Sequence, residues 1–245
     1  MASKILFVFE GENTERFITE NIKKNFFNES NTVIQCAYGT TIYNLYNTIS
    51  KDSDLDLFVL LKELPCNKEN LKSYSRKDFA EIYLFFDYDG HTSSANDDNL
   101  KSILSFFNEE TEFGKIFISY PMVEALKHYS ESIDFKMLKV EAKKQINYKK
   151  KVNQECNPAY INMPKYEKSI WILLIRLHLN KMNHIVNDNY SLPDRIIPQL
   201  EIFSNQLEKY INIDSTVAVL SSFPIFLFDY YGYKFISELL FDINE

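Results

Sequence analysis

An α/β fold is predicted for the first half of the chain, on three observations. Short apolar runs at 4–9, 80–86 and 115–120 each read as a buried parallel strand. Segments with apolar residues at helical spacing lie between them. Two of the runs end on acidic residues next to a glycine, Glu10-Gly11 and Asp87-Tyr88-Asp89-Gly90. Strands that alternate with helices imply a parallel sheet with helices on its faces, and ligands of such sheets sit beyond the carboxyl ends of the strands.

The elements follow in order. The first strand leads through Glu10-Gly11 into a helix with Phe17, Ile18, Ile22, Phe26 and Phe27 at helical spacing, capped by Asn13 or Thr14. A second strand over 32–37 ends at Tyr38-Gly39, and 40–49 carries Ile42, Leu45, Tyr46 and Ile49 on one helical face. The apolar segment 54–64 fits a helix or a strand, and periodicity alone does not separate the two. Residues 66–77 are polar and read as a loop. The strongest strand, 80–86, runs directly into Asp87. A helix over 94–108, capped by Ser94, Asn96 or Asp97, turns Leu100, Ile103, Leu104 and Phe107 inward. The strand 115–120 follows, and Pro121 opens a helix over 122–129, since proline is tolerated in a first turn.

Beyond residue 130 the pattern changes. Residues 135–152 contain Lys136, Lys139, Lys143, Lys144, Lys149, Lys150 and Lys151 against one acid, Glu141. Helices are expected over 168–186, 193–210 and 215–227, the last interrupted by Pro224. With no internal repeat and no low-complexity linker, the expected organisation is an α/β catalytic domain over 1–130 and a mostly helical region over 131–245 packed on it.

Bulk properties exclude several classes. Hydrophobic residues make up 45% of the 245 residues and charged residues 25%, the ordinary globular range. Only 5 glycines disfavour an all-β barrel. Cys36, Cys66 and Cys156 show no CxxC spacing, which argues against structural zinc or a disulfide framework. The apolar run 5–9 is too short for a signal peptide, and no apolar stretch reaches the roughly 18–20 residues that span a bilayer. A cytoplasmic protein without membrane association is therefore expected. The net charge of −7 is unlike that of proteins that coat nucleic acid and points to a local basic patch, a partner, or both.

The acidic residues carry the chemistry. Carboxylates at the ends of neighbouring buried strands raise each other's pKa unless a cation lies between them. Mg²⁺ prefers oxygen ligands, keeps several waters and suits phosphoryl chemistry. Asp-x-Asp supplies two carboxylates, and Gly90 lets the chain bend away beside a substrate.

Phe7-Val-Phe-Glu10-Gly11-Glu-Asn-Thr-Glu15, followed by Phe85-Phe-Asp87-Tyr-Asp89-Gly90, resembles the Toprim domain of topoisomerases, primases, recombination-repair proteins and OLD-type nucleases. The resemblance covers roughly residues 4–125. It implies a Toprim-like parallel sheet flanked by helices, with Glu10 in acid–base work and Asp87 and Asp89 binding Mg²⁺ or Mn²⁺, Glu10 serving as a further metal residue. Tyr120-Pro-Met-Val-Glu124 is similar to an element of small bacterial defence proteins, RloB-like and abortive-infection among them. That likeness adds Glu124 as a catalytic carboxylate and sets Lys127 or His128 towards the phosphate. The activity so implied is metal-dependent cleavage of DNA or RNA by an antiviral, abortive-infection effector. Strand passage and priming need larger bodies or a zinc module.

Lys127, Lys143, Lys144, Lys149 and Lys150 are the candidate nucleic-acid contacts, although lysine clusters are commonly solvated helix faces. His91, after the acidic turn, is a candidate for phosphate or water. Glu15, Asp97 and Asp98 fit helix termini, where acids are favoured. His178 and His184 fit apolar helical faces. Trp171 and the aromatic stripe Phe223, Phe226, Phe228, Tyr230 and Tyr231 fit a core or a partner interface. Two rivals remain: a silent Toprim-like scaffold that binds nucleic acid or a partner ATPase, and a haloacid-dehalogenase-like phosphatase with Asp87 as nucleophile. Against the latter, His91 separates Asp-x-Asp-Gly from Thr92. The chain has no GxxxxGK[ST] motif, so an ATPase would be a separate partner. Homo-oligomerisation is left open.

Overall fold

The computed structural model describes residues 4–11, 14–27, 32–49, 51 and 56–241; Asn13, one of the two expected caps, lies outside them. The first half runs β1 (Lys4–Phe9), α1 (Thr14–Phe26), β2 (Thr32–Ala37), α2 (Ile42–Ile49), α3 (Leu57–Glu63), the one-turn α4 (Lys68–Leu71), β3 (Glu81–Asp87), α5 (Asp97–Phe106), β4 (Asn108–Glu109) and β5 (Gly114–Ser119). The strands form one sheet in the order β2-β1-β3-β5-β4. β1 is parallel to both neighbours, with Ile5 opposite Val33 and Glu81. The two-residue β4 runs antiparallel to β5. The chain is thus an α/β protein with a mixed, mostly parallel five-stranded sheet.

The apolar runs become strands because burial on both faces rewards an unbroken apolar sequence. Ile5–Phe9 are at most 2% exposed. Phe7 meets Phe9, Phe27, Tyr83 and Phe85 at ring-centroid distances of 5.3–6.3 Å. Gly114, at the start of β5, has φ 113°, and a Cβ there would stand 2.6 Å from Leu84 Cδ1. Only glycine suits both the backbone and the space.

Caps settle two boundaries. Asp56 accepts from the Phe58 amide at 2.8 Å, so the ambiguous apolar segment is helix α3. Asn96 accepts from the Asp98 and Asn99 amides at 3.0 and 2.9 Å, which makes it the cap of α5. At the edge of the sheet, the Asn67 carboxamide accepts from the Ala37 amide at 2.9 Å and donates to its carbonyl at 2.6 Å, covering groups that a further strand would pair.

The second half is mainly helical: β6 (Lys139–Glu141), α6 (Tyr148–Glu155), α7 (Lys168–Asn187), α8 (Gln199–Gln206), α9 (Asn212–Asp214), β7 (Thr216–Ala218) and α10 (Ser222–Phe241). α7 packs against α8 and α10, and Trp171 is fully buried on it. Several expectations are corrected. The helix over 122–129 is only a 3₁₀ segment, Val123–Lys127. The segment 215–227 is not one helix; β7 pairs antiparallel with β6, Val217 opposite Val140, and Pro224 falls in the first turn of α10, where its missing N–H is harmless. The helix expected over 193–210 begins at Gln199, after Pro198, and continues as a π turn, Leu207–Ile211. The polar segment 66–77 contains α4 and two 3₁₀ segments instead of loop alone.

Packing divides the chain into two compact units, residues 1–87 with 94–116, and residues 88–93 with 117–245. No described helix is long and apolar enough to cross a membrane.

Candidate functional site

The first unit brings Glu10 and Asp87 together. Glu10 directly follows β1, and Asp87 is the last residue of parallel β3. The Glu10 amide donates to the Phe85 carbonyl at 3.1 Å, and its carbonyl accepts from the Gly39 amide at 3.0 Å. Held at both ends, Glu10 turns its carboxylate to the Asp87 amide, which donates to Oε2 at 3.1 Å. Asp87 is buried and Glu10 half-buried. Glu15, in the first turn of α1, is also buried, and its carboxylate oxygens lie 3.4 Å from where a Cβ of residue 11 would stand. A hollow of about 380 Å³ in this unit runs along β2, with Gly11 and Arg16 in its wall.

The second unit holds Asp89 and Glu124. The turn that bears Asp89 is fixed by its backbone. The Tyr88 amide donates to the Ser119 carbonyl (3.0 Å), the Asp89 amide to that of Pro121 (3.3 Å) and the Thr92 amide to that of Asp89 (3.0 Å). Tyr88 is fully buried beside Tyr120 and Phe203. Asp89 adopts φ 41°, a left-handed conformation that Asp tolerates better than most residues. Burial raises its carboxyl above the usual range; His91 opposes the shift and the Glu124 carboxylate adds to it. His91 Nδ1 lies 3.9 Å from Asp89 Oδ1. Glu124, in the 3₁₀ segment, is only 3% exposed, and Lys149 Nζ approaches its Oε1 to 3.8 Å. Among the described residues, Asp89 Oδ1, Glu124 Oε2 and Glu141 Oε2 are buried without a hydrogen-bond partner.

Other candidates fall differently. Lys127 is buried, and its Nζ donates to Asn153 Oδ1 at 2.7 Å. Lys144 and Lys149 are exposed, and Lys144 Nζ lies 3.7 Å from Glu141 Oε2. Lys143 and Lys150 are exposed too, Lys143 passing 5.4 Å above the Tyr88 ring. Lys139 pairs with Asp214, and Lys151 pairs with Glu155 at 2.6 Å. His178 is buried, accepts from the Ser221 amide at 3.1 Å and has its pKa pushed down to about 3 by burial. Phe223, Phe226 and Phe228 are core residues. Asp97 and Asp98 occupy the first turn of α5.

Sequence reading missed a polar network behind this region. His128 is fully buried, its Nδ1 2.9 Å from the Tyr148 hydroxyl and its Nε2 3.0 Å from Glu155 Oε2. Burial lowers the His128 pKa against the pull of Glu155. An imidazole that donates from Nε2 to Glu155 accepts the Tyr148 proton at Nδ1, which satisfies both nitrogens. Glu141 was missed as well, because a lone acid in a lysine run reads as a surface ion pair.

Fit to a metal ion is tested by the orphaned oxygens. Buried carboxylate oxygens without donors are costly unless a cation meets them. Among the described residues of either unit, no three His, Cys, Asp or Glu side chains gather as a metal cage. Mg²⁺ is commonly held by one or two carboxylates and water, and carboxylate oxygens are the donor type that Asp89 and Glu124 offer. No protein-family model, no curated protein and no solved structure matches the chain.

Proposed function

We propose that the chain is a Mg²⁺-dependent nuclease of Toprim type that hydrolyses phosphodiester bonds in DNA or RNA. The observation that carries this reading is the meeting of Glu10 and Asp87 at the carboxyl ends of the adjacent parallel strands β1 and β3, where open α/β sheets bind ligands. The orphaned oxygens of Asp89 and Glu124 support it. By the resemblance, Asp87 and Asp89 are the residues assigned to the ion, Mg²⁺ or Mn²⁺, and Glu124 is a further carboxylate. When bound, the ion supplies Lewis-acid stabilisation of phosphoryl charge and an activated water. Glu10 is held by the Asp87 amide as a carboxylate able to take or return a proton. A role as an antiviral effector, alone or with an ATPase, rests on the resemblance to defence proteins.

The test incubates the purified protein with labelled DNA, RNA and tRNA pools in Mg²⁺, Mn²⁺ or EDTA, beside an Asp87→Ala/Asp89→Ala double variant. Cleavage that needs metal and falls by about three orders of magnitude in the variant is expected, the upper scale for removal of one charge-stabilising group. Cleavage that persists in the variant overturns the site, and a folded protein that leaves every pool intact overturns the reading of the chain as a nuclease that acts alone.

A further inference from the structure

We propose that a cleft in the second unit takes a single unpaired nucleobase of the substrate strand, so that the substrate is single-stranded or frayed nucleic acid. This rests on the reading of the chain as an enzyme of nucleic acids. The cleft holds about 190 Å³. A cavity of roughly 150 Å³ accepts a benzene ring, whereas drug-sized ligands fill roughly 300 Å³ or more. The space therefore fits one ring system and excludes a base pair.

Its lining suits a base with phosphates on either side. Pro121, Met122, Ile146 and Tyr148 give apolar walls, and Lys144 and Lys149 stand at its rim. Tyr148 is a fixed wall, its hydroxyl tied to buried His128 at 2.9 Å and its ring edge-on to that imidazole at 5.3 Å. The two lysines are 77% and 66% exposed, and each lies 3.7–3.8 Å from a carboxylate, beyond hydrogen-bond distance, so their donors can turn to phosphate.

Residues of the cleft approach carboxylates that each keep an orphaned oxygen. His91, which lines it, is 3.9 Å from Asp89, and Lys149 is 3.8 Å from Glu124, whose Oε2 is buried without a hydrogen-bond partner among the described residues. Gly90 makes the approach possible: a Cβ there would stand 2.9 Å from the carbonyl of Ala142, itself part of the cleft wall. A base in the cleft thus places its own phosphate beside Asp89 and Glu124. A paired base would first have to unstack, at a cost that is least for a strand already single.

The experiment is fluorescence anisotropy in EDTA, where metal-dependent cleavage is off. Ligands are a short labelled single strand, an abasic strand of the same length and a duplex. The single strand is expected to bind about tenfold more tightly than the abasic strand, the lower end of what one stacked base contributes. Ile146→Trp and Met122→Trp, two fillings from separate segments, should each erase that difference. The double variant Lys144→Ala/Lys149→Ala should weaken all three ligands and reduce the log–log salt slope by about 2. Equal affinity for the abasic strand, or no binding, overturns the pocket. Base-dependent binding without cleavage in the nuclease assay sinks the nuclease and leaves the pocket; cleavage with base-independent binding does the reverse.

Discussion

The two units treat their carboxylates in opposite ways. In the first, Glu10 is anchored through its amide and carbonyl, and its side chain accepts a backbone N–H. In the second, Asp89 sits at positive φ, and Asp89, Glu124 and Glu141 keep buried oxygens that no donor among the described residues reaches. The side-chain nitrogens of His91, Lys144 and Lys149 stop 3.7–3.9 Å from them. A carboxylate that ends a strand and bonds its neighbour's amide is compatible with sheet formation for its own sake. A buried oxygen left without a donor costs stability, so its retention asks for a ligand. Position makes the first pair a candidate site, and the uncompensated desolvation makes the second one.

Two glycines break the comparison most severely. A Cβ at Gly90 would stand 2.5 Å from the Tyr88 ring and 2.9 Å from the Ala142 carbonyl, both buried. Gly90→Ala should therefore lower stability by about 3 kcal/mol through overpacking. Gly39, in the first unit, has φ 78°, and a Cβ there would meet no atom of the described residues within 4 Å, so Gly39→Ala should cost only about 1 kcal/mol of backbone strain. Urea melts of the two variants check this, and similar losses would show that the turn at Gly90 has room to spare.

How far the sequence reaches can be judged from the same residues. β1 and β3 are legible because five successive apolar residues have no other good use in a small α/β sheet, and β5 because Ile116, Phe117 and Ile118 form a shorter run of the same kind. Glu10 and Asp87 are legible because each stops such a run. β6 and β7 are not, since three-residue strands are too short for a period, and Thr216–Ala218 passes for the start of a helix. The Tyr148–His128–Glu155 network is invisible for another reason: its members belong to a 3₁₀ terminus and to α6, and only the fold brings them within 3.0 Å. Lys127 reads as a phosphate contact beside Glu124, but its partner Asn153 lies 26 residues on, and the burial that joins them leaves no sequence mark.

Acid should act on the second unit first, because the buried histidines His128 and His178 fall in it. His178 has a folded pKa of about 3, against roughly 6.5 for a free imidazole. Between these values the unfolded chain binds more protons than the native one, so stability is intact above the higher value and declines as pH falls towards the lower. The slope is about 1.4 kcal/mol per pH unit, or about 2 kcal/mol lost by pH 5. His128, also lowered by burial, adds in the same direction. Hydrogen exchange at pH 7 and pH 5 should show amides of α7 opening earlier than those of β1 and β3, and His178→Gln should flatten the pH dependence. Equal acceleration in both units would remove this asymmetry.

The smallest effect separates the two kinds of carboxylate most directly. Asp89 has a raised pKa because burial, with Glu124 adding, disfavours its ionised form. A carboxyl raised on folding takes up protons relative to the unfolded chain, so its ionisation costs stability at pH 7 and the cost disappears as pH falls below the unfolded value. Asp89→Asn removes the charge, keeps the shape and suits positive φ. It should raise stability at pH 7 by up to about 1 kcal/mol and lose that advantage in acid. Glu10→Gln keeps an oxygen for the Asp87 amide, so its change should stay within about 0.5 kcal/mol at either pH. On the proposed nuclease reading, both variants should abolish cleavage. Thermal melts at pH 7 and pH 4 read the contrast. If Asp89→Asn destabilises at neutral pH, its carboxylate holds the turn together, and the orphaned oxygen is no mark of a ligand site.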